Sequence, residues 1–359
     1  MTNRNLTSAE ISDIDRASML GRVMSMPQHF REALARAQSV KLNLPPDQIR
    51  NIVIAGMGGS AIGGELVKSL TYNQLPAPLA VCRSYNLPKF VDQHTLVVVS
   101  SYSGDTEETL AAFEQARQRR AQIVCITSGG KIGQTAEADH LPRFALPTGF
   151  PPRSALVHLV VPILKTLHAC RFIADPAPDI DETAALLEKL GQRYHPQSEE
   201  PENSAKRLAR TLAERLPLIY AAEIYEAVAW RWKEQFCENS KVLAWHNVFP
   251  ELNHNELVGW GFRPELDKKF QVIYLHDRHA APAEIHSRVL ARMELTQGLI
   301  EQSGVPVISA AAEGKSLLAR FFSLIFWGDM ASVYLAALNR VDPTPVEKID
   351  YLKSQMALR

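Results

Sequence analysis

Cysteine is scarce in this chain: Cys82, Cys125, Cys170 and Cys237 lie far apart, with no C-x-x-C pair. Thiols so scattered exclude a disulfide framework or a zinc ribbon and fit reduced core residues of a cytoplasmic protein. An excess of either charge is missing too, since Lys+Arg and Asp+Glu both number 39. That balance leaves no electrostatic footprint for nucleic acid or a membrane surface. The polar start MTNRNLTSAEISDIDRAS has no apolar stretch of the kind a secretory signal needs. Uninterrupted hydrophobic runs are also lacking. His158 and Lys165 break SALVHLVVPILKTLHAC, and Arg320 and Asp329 break SLLARFFSLIFWGDMASVYLAAL. Both segments are therefore expected to be buried helices rather than membrane spans.

What is present is enough apolar material for two domains: 359 residues, 46% of them hydrophobic. Met19, Val23, Phe30 and Leu34 recur near helical spacing and predict a leading helical segment. From there short Val/Ile/Leu runs alternate with amphipathic stretches. NIVIAG, LAVCRS, TLVVVSS and AQIVCITS predict strands; a helix from about Ala61 to Leu70 and DTEETLAAFEQARQRR predict crossovers. Such alternation implies a parallel sheet covered on both faces. HPQSEEPENSAKR, residues 195–207, is polar and proline-bearing and predicts a linker. Beyond it the pattern resumes with LPLIYAA, a helix of about Ile224 to Asn239, FQVIYLHD and VPVISAA.

The first strand runs into GMGGSAIGG, where Gly56, Gly58 and Ala61 match the dinucleotide pattern G-x-G-x-x-G/A. That reading wants a carboxylate at the end of the second strand, which here reads VCRSYNLP. Arg83 leaves open an NADP enzyme whose 2′-phosphate it would hold. The third strand argues for a phosphate monoester instead. It ends in Ser100, Ser101, Ser103, Gly104 and Thr106 immediately before a helix. Hydroxyls and free amides at a helix N-terminus converge on an anion, and the helix dipole favours it. An N-cap by Asp105 or Thr106 would need only one such group.

The second half has no S-x-S-G-x-T loop. Its densest polar stretch, residues 237–261, interleaves Glu238, His246, Glu251, His254 and Glu256 with Trp245, Phe249 and Trp260. Apolar neighbours can shift the pKa values of such groups. Glu251, His254 and Glu256 could ligate a metal, but their spacing matches no recognised ligand set.

GMGGSAIGG followed by SSYSGDTEET resembles the sugar isomerase (SIS) domain. ENSK with PELNHNELVGW, FPPRSAL around Arg153, and DPTPVEKIDYLKSQ together resemble the bifunctional phosphoglucose/phosphomannose isomerase family along nearly the whole chain. The resemblance implies an α/β fold of two tandem SIS-type doubly wound parallel-sheet domains, at 41–195 and 196–359, after a helical segment at 1–40. It implies aldose–ketose isomerisation of glucose-6-phosphate, and of mannose-6-phosphate, through a cis-enediol. Glu238 would be the base, His254 would open the ring with help from Lys353, and Arg153 would steady the enediolate. Gly58, Gly59, Ser60, Ser101, Ser103 and Thr106 would hold the phosphate. Thr344 would leave room for mannose chemistry. No metal or cofactor is required, and a cytoplasmic homodimer is expected, with a cross-subunit role for His286 left open. The competing readings are a non-enzymatic phosphosugar sensor and the NADP-dependent reductase.

Overall fold

Runs of β-branched residues bounded by turns become nine strands in the computed structural model, which describes residues 6–356 and Leu358. Positions 1–5 of the expected N-terminal segment and 357 and 359 of the tail lie outside those residues. The first sheet contains β1 (Asn51–Ala55), β2 (Leu79–Cys82), β3 (Thr95–Ser100), β4 (Gln122–Thr127) and β5 (Arg143–Ala145), in the order β2-β1-β3-β4-β5. The second contains β6 (Leu216–Ala222), β7 (Trp245–Phe249), β8 (Phe270–His276) and β9 (Val307–Ala311), in the order β7-β6-β8-β9. Every pairing is parallel, with Ile54 opposite Val98 in one sheet and Ile219 opposite Ile273 in the other. The second sheet repeats the winding of the first, one strand short.

Alternation along each strand sends side chains to opposite faces. Val53, Ala55, Val97 and Val99 enter a smaller core with Ala112, Phe113 and Ile132 from the covering helices. Ile52, Ile54, Leu96 and Val98 enter a larger one that continues without a break into the second sheet. Helices Leu156–Ala169 and Leu317–Asn339 belong to that shared layer. The latter is long and apolar enough to cross a membrane, yet 94% of its apolar window is buried inside the protein. The charges that break its run are paired within: Arg231 lies 2.6 Å from Asp329, and Arg320 lies 3.0 Å from Asp277 and 2.7 Å from Glu284. Buried charges persist only when so matched.

The leading segment forms helices Ser8–Ile14, Met19–Met24 and Met26–Gln38, and Met19, Val23, Phe30 and Leu34 are all buried. Asp15 accepts from the amides of Met19 and Leu20, both at 2.7 Å, fixing the chain between the first two.

Four local expectations need adjusting. The helix after β1 starts at Gly59, two residues early. The stretch expected to be helical from Ile224 is a 3-10 turn, Glu223–Tyr225, followed by helix Glu226–Glu238. The 195–207 linker ends early, because buried Asn203 caps helix Ser204–Leu212 by accepting from Ala205 and Lys206 at 3.1 Å. Lys206 turns its ammonium inward to the carbonyls of Pro196 and Ser198. Finally, part of the polar stretch is a strand, β7. Its edge position tolerates His246 and Asn247, where a central strand would not.

Candidate active site

The anion cradle is built where β1 and β3 end. Gly58 sits at φ 51° before helix Gly59–Leu70, whose N-cap makes no side-chain hydrogen bond. Helix Glu107–Gln118 begins after Thr106, and it too lacks a side-chain cap bond. Ser101 Oγ donates to Thr106 Oγ1 and accepts from the Gly104 amide, both at 3.1 Å. Ser103 Oγ accepts from the Asp105 amide at 3.3 Å. Ser60 Oγ accepts from the Tyr102 amide at 3.3 Å and so ties the two loops together. Gly104 is irreplaceable here: at φ 77°, a Cβ would lie 1.8 Å from the Gly129 carbonyl. Asp105, considered as a cap for its own helix, instead accepts from the Lys131 amide at 2.9 Å, serving the next one. The first-turn amides of the second helix, and that of Gly59 in the first, are thereby left for an anion, whereas Ser60 and Ala61 give theirs to the Met57 carbonyl and Ile62 to Gly58; Ser60 and Ser101 are buried and Ser103 exposed. Ser100 stays within β3, fully buried, and its hydroxyl has no partner.

The dinucleotide alternative loses its cation. Arg83 pairs with Glu65 at 3.1 Å and lies 4.1 Å over the Trp230 ring.

Gly59 joins the cradle to the second group of residues. A Cβ there would come within 3.1 Å of the Pro152 carbonyl and 3.4 Å of Arg153 Cα, so any side chain would push the two segments apart by a few tenths of an ångström. Arg153, only 4% exposed, projects from the 3-10 turn Pro152–Ala155. Its Nη1 lies 3.3 Å from Glu238 Oε2, and its Nε donates to Asn239 Oδ1 at 2.8 Å. Nη2 donates to the carbonyls of Pro343 at 2.6 Å and Thr344 at 2.9 Å. Burial lowers its pKa while Glu238 acts in the opposite sense, and a guanidinium stays charged regardless. Arg231, held by Asp329, fixes the Arg153 carbonyl at 2.9 Å. Arg153 is thus a buried hub. Glu238, the last residue of its helix, keeps a side chain 29% exposed and open to a ligand.

Thr344, which sequence alone could not place, lies in this group; its hydroxyl is buried without a partner. Lys241 donates to the carbonyls of Glu238, Pro343 and Pro345. Asn239, Arg231, Asp329 and Lys241 were all missed as parts of the site. The ENSK signal contained two of them.

No hydrogen bond or ion pair joins His254 to Glu238 among the described residues. Helix Glu226–Glu238 runs back across the second sheet, ending where β7 begins, while His254 follows the far end of β7. The five residues of β7, which lie between them in the chain, span roughly 16 Å. His254 is exposed in the turn Glu251–His254. Nearby, Glu251 accepts from Asn255, and Glu256 accepts from Tyr220 and Asn247. No group of three metal-ligating side chains occurs among the described residues. Lys353 is exposed on helix Glu347–Met356, which buries none of its residues, and His286 caps helix Ser287–Gln302.

A tandem parallel-sheet fold with open helix N-termini beside a buried arginine and a carboxylate defines a SIS-type phosphosugar protein. The comparisons agree: residues 47–141 match the SIS domain model, and residues 201–356 match the bacterial phospho-glucose isomerase C-terminal SIS domain model. The bifunctional phosphoglucose/phosphomannose isomerase of Caldicellulosiruptor bescii is 42% identical over 94% of this chain and 99% of its own. That of Thermoplasma acidophilum is 37% identical over 86% and 90%. The chain belongs to the bifunctional phosphoglucose/phosphomannose isomerase family. In fold it also matches a hypothetical protein of Thermus thermophilus, with a TM-score of 0.74 and 16% identity over 97% of this chain and 94% of the other.

Proposed function

We propose that the protein is an aldose–ketose isomerase interconverting glucose-6-phosphate with fructose-6-phosphate, and mannose-6-phosphate with the same ketose. The observation that carries this is the contact through Gly59, which sets a two-helix anion cradle directly against the Arg153–Glu238 pair. In this reading Ser60, Ser101, Ser103, Thr106 and the amides around Gly58 and Gly59 hold the unreactive phosphate, whose binding energy fixes the sugar carbons. The Glu238 carboxylate takes the proton from C2 of the open aldose. The electrons move through the enediol while the hydroxyl proton passes from O2 to O1, and the Glu238 carboxyl gives its proton to C1 to leave the ketose. Arg153 keeps one Nη1 hydrogen beyond its bonds to protein and would offer positive charge to the enediolate oxygen. The reaction moves protons within one molecule, so no redox partner enters its balance.

His254 would open the sugar ring, with Lys353 assisting from the C-terminal helix. Since β7 lies between Glu238 and His254 in the chain and no hydrogen bond or ion pair joins them, the reading takes His254 from a second copy, and hence a homodimer. A cytosolic setting and the division at 1–40, 41–195 and 196–359 complete the proposal. Buried thiols suit that setting: burial pushes Cys125 up to about 12 and Cys170 up to about 11, keeping them unreactive.

The test is conversion of fructose-6-phosphate to glucose-6-phosphate and mannose-6-phosphate by purified protein in EDTA. Phosphosugar binding without turnover would establish the sensor reading instead.

A further inference from the structure

The segment Asp342–Pro345 links the long core helix to the exposed C-terminal one. Prolines at 343 and 345 leave it few amide donors, so its carbonyls are its main hydrogen-bonding handles. All three consecutive carbonyls, of Pro343, Thr344 and Pro345, are taken by two side-chain cations. Arg153 holds the first two. Lys241 Nζ holds Pro343 at 3.2 Å and Pro345 at 2.7 Å, and also the carbonyl of Glu238. The Pro343 oxygen is shared, one lone pair to each cation.

An ammonium has three donors, and those of Lys241 meet three acceptors. It has none spare for a substrate without breaking this arrangement. Its backbone adds an independent observation. Lys241 sits at φ 58°, a left-handed conformation that glycine or asparagine adopts more readily. A long charged side chain retained at a position that disfavours it points to a role for the side chain.

We propose that Lys241 is a positioning residue: its ammonium ties the end of the Glu238 helix to the strap at 343–345, fixing Thr344 beside the base and setting the path of the helix that carries Lys353. It acts through these groups and does not touch the substrate. The kinetic part rests on the isomerase reading; the structural part does not.

Lys241→Asn removes the ammonium while suiting the left-handed backbone, so loss of fold is not its expected result. Lys241→Arg keeps a cation and several donors. Full-length wild type and both variants are compared by fructose-6-phosphate kinetics and by backbone amide exchange. For Lys241→Asn, kcat should fall on the order of 10- to 100-fold, with KM changed less than about three-fold. Exchange should quicken in residues 341–356 and not elsewhere, and Lys241→Arg should recover part of both. Wild-type kcat with unchanged exchange at 341–356 would overturn the proposal. So would a rise in exchange spread over the whole chain, which marks general destabilisation. If wild type itself fails to isomerise, the isomerase reading falls, and local exchange still decides whether Lys241 holds the strap.

Discussion

Nη1 of Arg153 and Oε2 of Glu238 stand 3.3 Å apart, one from the start of a helix under the first sheet and one from the end of a helix in the second half. The pair is asymmetric. The arginine is 4% exposed and the glutamate 29%, so the cation is fixed by protein while the carboxylate stays partly open to solvent. A base needs that freedom, and an oxyanion partner needs that rigidity.

Glu238→Gln is expected to lower kcat by on the order of 10²- to 10⁴-fold while leaving the affinity of a non-reacting phosphosugar analogue nearly unchanged. Steady-state rates and calorimetric titration check this. Near-wild-type turnover would remove Glu238 from the role of base.

Arg153→Met leaves Glu238, the Asn239 oxygen and the Thr344 carbonyl without their donor, and leaves Pro343 with Lys241 alone. A stability loss of about 2–3 kcal/mol is expected, since Glu238 keeps some solvent, with isomerisation largely lost. Arg153→Lys should recover stability better than rate, because an ammonium lacks the planar fork. Urea melts and kinetics on both variants read the two effects separately.

Ser101→Ala removes the hydroxyl that links Gly104 to Thr106 at the mouth of the cradle. KM for fructose-6-phosphate and Ki for inorganic phosphate should rise together, by roughly 10-fold, with kcat falling less. A change in kcat alone would argue against a phosphate role.

Mixing Glu238→Gln with His254→Gln subunits tests the shared site. In a two-fold dimer, each mixed pair would contain one site with both wild-type residues. After subunit exchange, two inactive preparations should recover about a quarter of wild-type activity. No recovery after verified exchange would place His254 in the same chain's site or outside the chemistry.

Glu234 lies one turn before Glu238 on the same helix. Burial pushes its carboxyl from the ordinary 4.5 up to about 7, with Glu238 acting in the same sense and Arg231, Lys233 and Arg83 opposing. An acid with a higher pKa in the folded chain binds more protons when folded. Its contribution is therefore full below about 4.5 and declines as pH rises through 7. Glu234→Gln should flatten this decline, gaining on the order of 2 kcal/mol at alkaline pH and little in acid. Denaturant melts across pH would show an unchanged slope if Glu234 ionises freely.

The parts of the fold readable in advance were those with one dominant force. Ile52–Ala55 and Leu96–Val99 are buried on both faces, so a plain apolar run names the strand. Trp245–Phe249 is an edge strand with half-buried polar positions, and its pattern is indistinguishable from a polar loop. The cradle was legible because glycines and hydroxyls cluster locally. The arginine's commitment to Asn239 and the strap was not, because its partners lie 86 to 191 positions away. Glu238 and His254 show the converse. Sixteen residues apart in sequence, they look like neighbours, yet one β-strand traversal separates them.

Phe30 meets Phe322 edge to face at 4.8 Å, near the middle of a hydrophobic layer to which both sheets contribute. Severing the chain between the sheets would strip each half of part of its interior and leave two sticky fragments rather than two working modules. Heat should accordingly melt the molecule in one step, and a lesion in either half should weaken both.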